Sequence, residues 1–199
     1  MIRRLIVLVA LSLLALTAPP ANAATIKFSA DLYGFLENPP NASPGVGSAL
    51  MTYDDVAHTY FVEAQWSGLI GTTTVSHIHC CVAPPGTAGV VTFPGTFPGF
   101  PVGTTFGSYV SPLIDLTSAA SYTAAFLNGP GGGTAAGAEQ ALIRGIFAGQ
   151  AYFNIHSTFA PGGEIRGFLS TPEPASLTLL GLGLAGVAAR LRSHRRKRP

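Results

Sequence analysis

The chain has 199 residues and a net charge of +2 at neutral pH, but its charges are unevenly distributed. Of its 11 Lys and Arg residues, 2 precede residue 24 and 6 follow residue 189, while 8 of the 9 acidic residues lie between residues 24 and 171. The middle of the chain therefore carries 3 − 8 = −5, which excludes a nucleic-acid-binding protein, because phosphate binding needs clustered Lys and Arg. The 24 Gly and 16 Pro favour short strands and turns over a helical bundle.

The first 23 residues have the layout of a secretory signal peptide. Arg3 and Arg4 precede an apolar run over residues 5–16, and Ala21-Asn22-Ala23 then supplies the small residues that a signal peptidase requires. The apolar run is too short to span a bilayer, which makes a permanent anchor the less favoured interpretation. We predict export through the inner membrane, with cleavage after Ala23.

Residues 25–79 show the alternating pattern of half-buried β-strands. From residue 25 onward, every second side chain is apolar, and the Pro- and Gly-rich residues 38–47 then predict a turn. Residues 48–53 and 59–66 predict a hairpin, with His58 exposed to solvent in its loop. Residues 70–79 are rich in β-branched side chains and predict a further strand.

The next segment breaks this regular pattern. Residues 90–93 predict a short return strand, and residues 94–107 are too irregular to assign. Helical spacing of apolar residues predicts a helix over residues 134–147, ended by Gly149, and a weaker one over residues 117–127.

Two strands, over residues 151–159 and 163–169, complete the predicted elements. The sequence therefore predicts one mainly β domain over residues 24–170. Its expected architecture is an antiparallel β-sandwich or open barrel with one or two short inserted helices.

Histidines occur on two of the predicted strands. His77 and His79 lie two residues apart, so they share one strand face at a spacing of about 7 Å, close enough to bind one ion. His156 becomes a third ligand if the two strands are neighbours. Three imidazoles suit Zn or Cu, with a fourth position open to water or to a thiolate of Cys80 or Cys81.

A second interpretation of these histidines needs no ion. The rings could hydrogen-bond to the backbone and to Asn154 or Glu164 across the sheet, forming a polar patch. Glu164 and Arg166 share a strand face, which predicts an ion pair or links to neighbouring groups in a structural role. No nucleophile, paired acids or phosphate-binding loop accompanies them, so the sequence predicts no catalytic residue.

Cys80 and Cys81 are the chain's 2 cysteines, and export carries them to an oxidising compartment. Three interpretations stay open: a disulfide between the two neighbours, thiolates added to the histidine site, or a bridge to another molecule. We favour the disulfide between neighbours, although adjacent cysteines lie closer at Cα than most bridged pairs.

The C-terminal segment over residues 171–199 resembles the PEP-CTERM sorting signal of Gram-negative bacteria. Pro172-Glu173-Pro174 leads into an apolar stretch over residues 175–189 that is closed by a basic tail. The resemblance implies an exosortase that cuts near the Pro-Glu-Pro triplet. It also implies temporary insertion of a short transmembrane helix, with the basic tail on the cytoplasmic side.

Three fragments of the middle segment resemble the CHRD domain, named after chordin. The opening fragment is LYGFLENPP, the central one is HIH, and the closing one is AYFNIHSTFAPGGEIRGFL. This likeness spans about residues 25–169 and implies an all-β extracellular module. Small residues commonly follow HIH in the family, so no role for Cys80 and Cys81 can be carried over.

Two functional hypotheses follow. The first is a non-enzymatic binding or structural module of the cell envelope, cell surface or extracellular matrix, associated with surface polysaccharide. The second is a copper- or zinc-binding protein that uses His77, His79 and His156. The His-x-His tripeptide is also similar to one in copper-zinc superoxide dismutase, a likeness confined to that tripeptide.

Overall fold

The fold is a single curled antiparallel sheet that forms half of a barrel. The computed structural model describes residues 25–93 and 95–172. Within these residues the strands are, in chain order, β1 (Ile26–Tyr33), β2 (Val46–Asp54), β3 (Thr59–Ser67), β4 (Thr73–His79), β5 (Gly107–Val110), β6 (Ile114–Asp115), β7 (Tyr152–Ser157) and β8 (Ile165–Phe168). Two helices, α1 (Ala124–Asn128) and α2 (Ala135–Phe147), lie between β6 and β7.

The strand order in the sheet is β4-β7-β8-β1-β2-β3-β5, with β6 also paired to β3. Each pairing is antiparallel, and the hairpin of β2 and β3 is in register from Val46↔Ser67 to Asp54↔Thr59. The sequence prediction of a mainly β fold with one or two short helices is therefore confirmed.

Strands β1, β2 and β3 bury one face and expose the other, which is why their sequences alternate. Their inward side chains form the centre of the core, together with those of β4, β7 and β8. The largest of them are Phe28, Leu32, Met51, Tyr60, Trp66, Ile78, Phe153 and Ile155. Helix α2 adds Ala138, Leu142 and Ile146 to the same cluster.

The end of the sheet formed by β4 and β7 is covered on both faces. All six residues of β7 and the last four of β4 are buried. Both faces of these strands are therefore shielded from water, including the face that carries polar side chains. A buried polar face is costly unless its groups are hydrogen-bonded, so this region is where a functional site is expected.

The helices differ from the sequence prediction mainly in length. Helix α2 begins one residue after the predicted position because Thr134 caps it, its side chain accepting a hydrogen bond from the Gly137 amide. Helix α1 is shorter than predicted, because Tyr122 and Thr123 are extended and the Thr123 amide donates to the Val91 carbonyl. A short 3₁₀ turn, Ala119–Ser121, takes the place of its first part.

Strands β5 and β6 were not predicted, because they are four and two residues long and follow a Gly- and Pro-rich segment. The predicted return strand over residues 90–93 makes only isolated bridges, His79↔Val90 and Thr92↔Tyr122. The predicted signal peptide and all of the sorting segment beyond Pro172 lie outside the described residues. Over the part of the chain that the structure describes, none of the helices has the length and apolar character needed to cross a membrane.

Candidate metal centre

The three predicted histidines lie on neighbouring strands at one end of the sheet. Strands β4 and β7 pair with the register Val75↔His156 and His77↔Asn154. His77 and His156 are therefore diagonal neighbours on one face of the sheet, and His79 follows two residues further along β4 on that face. The antiparallel pairing thus brings together histidines that are far apart in the sequence.

The ring nitrogens of His77, His79 and His156 converge. One nitrogen of each ring lies within 4.8 Å of those of the other two rings. His77 Nδ1 and His156 Nε2 lie 3.3 Å apart. Nitrogens that each lie about 2 Å from one ion are at most about 4 Å apart. The pair at 3.3 Å meets this condition, and any pair near the 4.8 Å limit has to close by about 1 Å for all three rings to bind one ion.

The other nitrogen of each ring points at a backbone carbonyl. His77 Nε2 lies 2.7 Å from the Gly95 oxygen, His79 Nδ1 lies 2.8 Å from the Ala88 oxygen, and His156 Nδ1 lies 2.9 Å from the Pro161 oxygen. A carbonyl oxygen can only accept, so each of these nitrogens carries the ring proton. In the neutral rings, His77 Nδ1, His79 Nε2 and His156 Nε2 therefore carry the free lone pairs.

These inward lone pairs lack ordinary hydrogen-bond donors. His77 Nδ1 and His156 Nε2 face each other at 3.3 Å, but both ring protons are already used on carbonyls. His79 Nε2 is buried and has no hydrogen-bond partner among the described residues. The arrangement matches metal sites in which each histidine donates its second N–H to an outer acceptor.

Burial keeps the three rings neutral. Each ring belongs to a residue that is 6–7% exposed. Loss of solvation lowers the pKa of His77 and His156, and it lowers that of His79 to about 4, against the opposing effect of each ring's bond to a carbonyl. The rings are thus in the deprotonated form that binds metal at neutral pH.

An aromatic and cationic layer supports His79. The Tyr152 ring stacks on the His79 ring with a centroid distance of 4.8 Å, and the Arg166 guanidinium lies 4.6 Å from the Tyr152 centroid. The Tyr152 hydroxyl accepts a hydrogen bond from the Ala88 amide, the same residue whose carbonyl accepts from His79. Tyr152 therefore contacts both the His79 ring and Ala88, the residue to which that ring donates its hydrogen bond.

Arg166 is buried at 1% exposure and serves as a cross-link. Its guanidinium donates to the carbonyls of Leu36, Pro85 and Gly86 and lies 3.7 Å from the Glu37 carboxylate. It joins the loop after β1, the loop after β4 and strand β8, and among the described residues its carboxylate neighbour is Glu37 and not the Glu164 of the predicted ion pair.

Glu37 belongs to this cluster, although from the sequence it was noted only as part of the fragment LYGFLENPP and not as a site residue. It is 6% exposed, and burial raises the pKa of its carboxyl to about 7, with Arg166 opposing the shift. Its Oε1 and the Oδ1 of the predicted structural residue Asn154 are buried without hydrogen-bond partners in the described residues. The position of Glu37 after Leu36 in a turn carried no signal of burial.

Glu164 has a different set of partners from Arg166. Its carboxylate accepts hydrogen bonds from the hydroxyls of Ser43 and Ser157 and from the amides of Ile70 and Gly71. This buried carboxylate thus connects β8 to the loops before β2 and β4. Neither Glu164 nor Asn154 is among the hydrogen-bond partners of the three histidine rings.

Cys80 and Cys81 are joined to each other by a disulfide. Their sulfur atoms lie against α2, where a β-carbon at Gly145 would overlap both of them. The two sulfurs do not belong to the group formed by the three histidine nitrogens. Their position instead packs the turn after β4 directly onto the helix, which requires glycine at residue 145.

His58 is bonded rather than simply solvated, contrary to our expectation. Its side chain is 49% exposed, but Nδ1 lies 2.9 Å from Glu139 Oε1 of α2. Glu139 also accepts from the Tyr53 hydroxyl at 2.6 Å. The sequence offered no hint of this contact, because it joins a hairpin loop to a helix about 80 residues later.

Comparison with models of known protein families agrees with the mainly β fold described above. The model of the CHRD domain matches residues 28–169, and the model of the PEP-CTERM protein-sorting motif matches residues 170–196. The chain therefore belongs to the CHRD domain family and carries a PEP-CTERM motif, which implies export to the cell envelope or surface and processing by an exosortase. Searches of curated proteins and of solved structures gave no match.

Proposed function

We propose that this protein is a non-enzymatic envelope module whose CHRD domain binds a copper or zinc ion through His77, His79 and His156. The observation that supports this proposal is the position of the proton on each of the three imidazole rings. Each histidine has one nitrogen within 2.7–2.9 Å of a backbone carbonyl, which places the ring proton there, and one nitrogen of each ring lies within 4.8 Å of those of the other two rings. Neutral imidazoles held in this way are ligands for transition metals.

The alternative is a polar patch without an ion, and it leaves part of the cluster unexplained. The outward hydrogen bonds to carbonyls fit both interpretations. The inward nitrogens favour the metal interpretation, because His79 Nε2 has no partner among the described residues and the lone pairs of His77 Nδ1 and His156 Nε2 lie 3.3 Å apart. An unsatisfied buried polar atom costs about 1–3 kcal/mol, and a bound cation would remove that cost.

A binding role is favoured over catalysis by the surrounding groups. Within the described residues, the carboxylate of Glu164 is fully engaged with hydroxyls and amides, and Glu37 lies beside Arg166. No nucleophile paired with a base accompanies the histidines there, so the described residues offer no site for covalent catalysis. We therefore assign no catalytic residue to the site.

The proposed route to the envelope has three steps. Signal peptidase removes residues 1–23, residues 171–199 insert temporarily into the inner membrane, and an exosortase cuts near Pro172-Glu173-Pro174. The domain over residues 24–170 would then reach the cell surface or the extracellular matrix, where surface polysaccharide is the proposed neighbour. The motif match over residues 170–196 supports this route.

The metal content of the purified exported protein tests the metal assignment. We expect about one equivalent of Cu or Zn after gentle purification, and loss of this metal in the His77→Ala, His79→Ala double variant. His58→Ala is the matched control, because His58 is bonded to Glu139 instead. Sub-stoichiometric metal that is the same in all three proteins would refute the assignment.

A further inference from the structure

Resting on the proposed metal site, we infer that the ion it selects is Cu(I) rather than Zn(II). The inference rests on the charges that surround the three ring nitrogens, because the number and kind of ligands alone allow either metal. It adds the oxidation state and the charge of the ion, which the three-histidine pattern leaves open.

The ligand set itself has no negative charge. The three donors are imidazole nitrogens, and the outer acceptors on Gly95, Ala88 and Pro161 are backbone carbonyls instead of carboxylates. In many zinc sites a carboxylate occupies this outer position and offsets part of the metal's charge. Among the described residues, neither the three ligands nor their outer hydrogen-bond acceptors include a carboxylate.

The nearest charged groups do not supply the missing negative charge either. Arg166 lies over Tyr152, which stacks on His79, so a positive charge approaches the site through this layer. Glu37 lies 3.7 Å from Arg166, so any negative charge that it carries offsets the guanidinium first. Glu164 is held by four hydrogen-bond donors away from the rings.

Charge then decides between the two metals. The cost of moving an ion out of water rises with the square of its charge, so it is about four times greater for a divalent ion than for a monovalent ion of similar size. The attraction between an ion and a neutral imidazole dipole rises only in proportion to the charge. A buried, neutral set of ligands therefore penalises Zn(II) more than Cu(I).

Coordination number points to the same ion. Among the His, Cys, Asp and Glu side chains of the described residues, three nitrogens converge and no fourth ligand joins them, since both cysteine sulfurs are bonded to each other and lie against α2. Zn(II) is almost always four-coordinate in proteins and would need an added water or anion here. Cu(I) is stable with three nitrogen ligands, so it needs nothing further from solvent.

Competition with colorimetric chelators tests this inference on the exported protein. The protein is titrated without oxygen against Cu(I) held by bicinchoninate, and in parallel against Zn(II) held by a pyridylazo dye. We expect one equivalent of Cu(I) to bind at least about 100-fold more tightly than Zn(II). His79→Gln should lose the Cu(I), while His58→Gln should bind it as the wild type does; circular dichroism shows whether each variant is folded.

The possible results distinguish a failure of the Cu(I) preference from a failure of the three-histidine site itself. Zn(II) binding as tight as or tighter than Cu(I), lost in His79→Gln, would overturn the preference for Cu(I) and leave the three-histidine site standing. Binding of neither ion by folded wild-type protein, or binding unchanged in folded His79→Gln, would overturn both. If His79→Gln does not fold, X-ray absorption of the Cu(I)-loaded wild type must show three nitrogen neighbours; sulfur or oxygen neighbours would contradict the inference.

Discussion

At the scale of single residues, the proposed metal site depends on which nitrogen of each histidine carries the proton. His77 uses Nε2 for its carbonyl bond, while His79 and His156 use Nδ1. The site is therefore built from one Nδ1 and two Nε2 donors, because His77 approaches the centre from a different angle. Substituting any of the three rings removes one donor, and substituting His77 or His156 also removes the hydrogen bond to the Gly95 or Pro161 carbonyl.

Glu37 provides a residue-scale prediction on pH. Burial raises the pKa of its carboxyl from 4.5 to about 7, so between these values the folded protein keeps a proton that the unfolded chain releases. The stabilising contribution is complete below pH 4.5 and is lost as the pH rises through 7, at a cost of about 3 kcal/mol. We expect urea unfolding to show wild-type stability falling over this range relative to Glu37→Gln.

The matched control is Glu63→Gln, because Glu63 is exposed on β3. Its unfolding free energy should follow that of the wild type across the whole pH range. If Glu37→Gln and the wild type keep a constant difference from pH 4.5 to 8, Glu37 does not carry the raised pKa.

At the scale of secondary-structure elements, helix α2 is attached to the β2–β3 hairpin through one carboxylate. Glu139 is 7% exposed, accepts from the Tyr53 hydroxyl of β2, and contacts His58 in the hairpin loop. The contact also raises the pKa of the His58 imidazole. Helix α2 is thus held by a polar contact at the edge of its apolar packing against the core.

Removing this carboxylate should weaken the attachment of the helix. Glu139→Ala leaves the Tyr53 hydroxyl without its acceptor, and we expect a loss of about 1–3 kcal/mol in the free energy of unfolding. The loss cannot come from helix propensity, because Ala is the better helix former. Gln140→Ala, one exposed position further along α2, should change stability by less than about 0.5 kcal/mol; equal losses in the two variants would contradict the proposed contact.

At the scale of the whole molecule, the charge distribution reflects processing more than binding. The two predicted cleavages would remove 8 of the 11 basic residues and convert a chain of charge +2 into a domain of charge −5. The sorting motif over residues 170–196 supports removal of the C-terminal part of this charge. The mature domain should therefore migrate as an acidic protein.

Intact-mass measurement of surface-released protein tests this prediction. We expect a species that lacks the Arg-rich end, and retention of that end when Pro172, Glu173 and Pro174 are all replaced by Ala. Residues 190–199 present in the released wild-type protein would show that no exosortase had cut it.

Periodicity in the sequence was sufficient to predict the strands that bury one face. Strands β1, β2 and β3 alternate because water lies on one side and the core on the other, and α2 shows helical spacing for the same reason. Strands β5 and β6 escaped prediction because two to four residues are too few to show a period. The spacing of His77 and His79 likewise placed both rings on one face without reference to any other segment.

Only the tertiary structure decided what those rings meet. Pairing of β4 with β7 brings His156 beside His77, and carbonyls in the β4–β5 and β7–β8 connections determine the ring protons. The burial of Glu37 and the contact between His58 and Glu139 also join segments far apart in the chain. Local sequence records which residue types are available and which face they share, whereas convergence, burial and tautomer depend on long-range packing that no local pattern encodes.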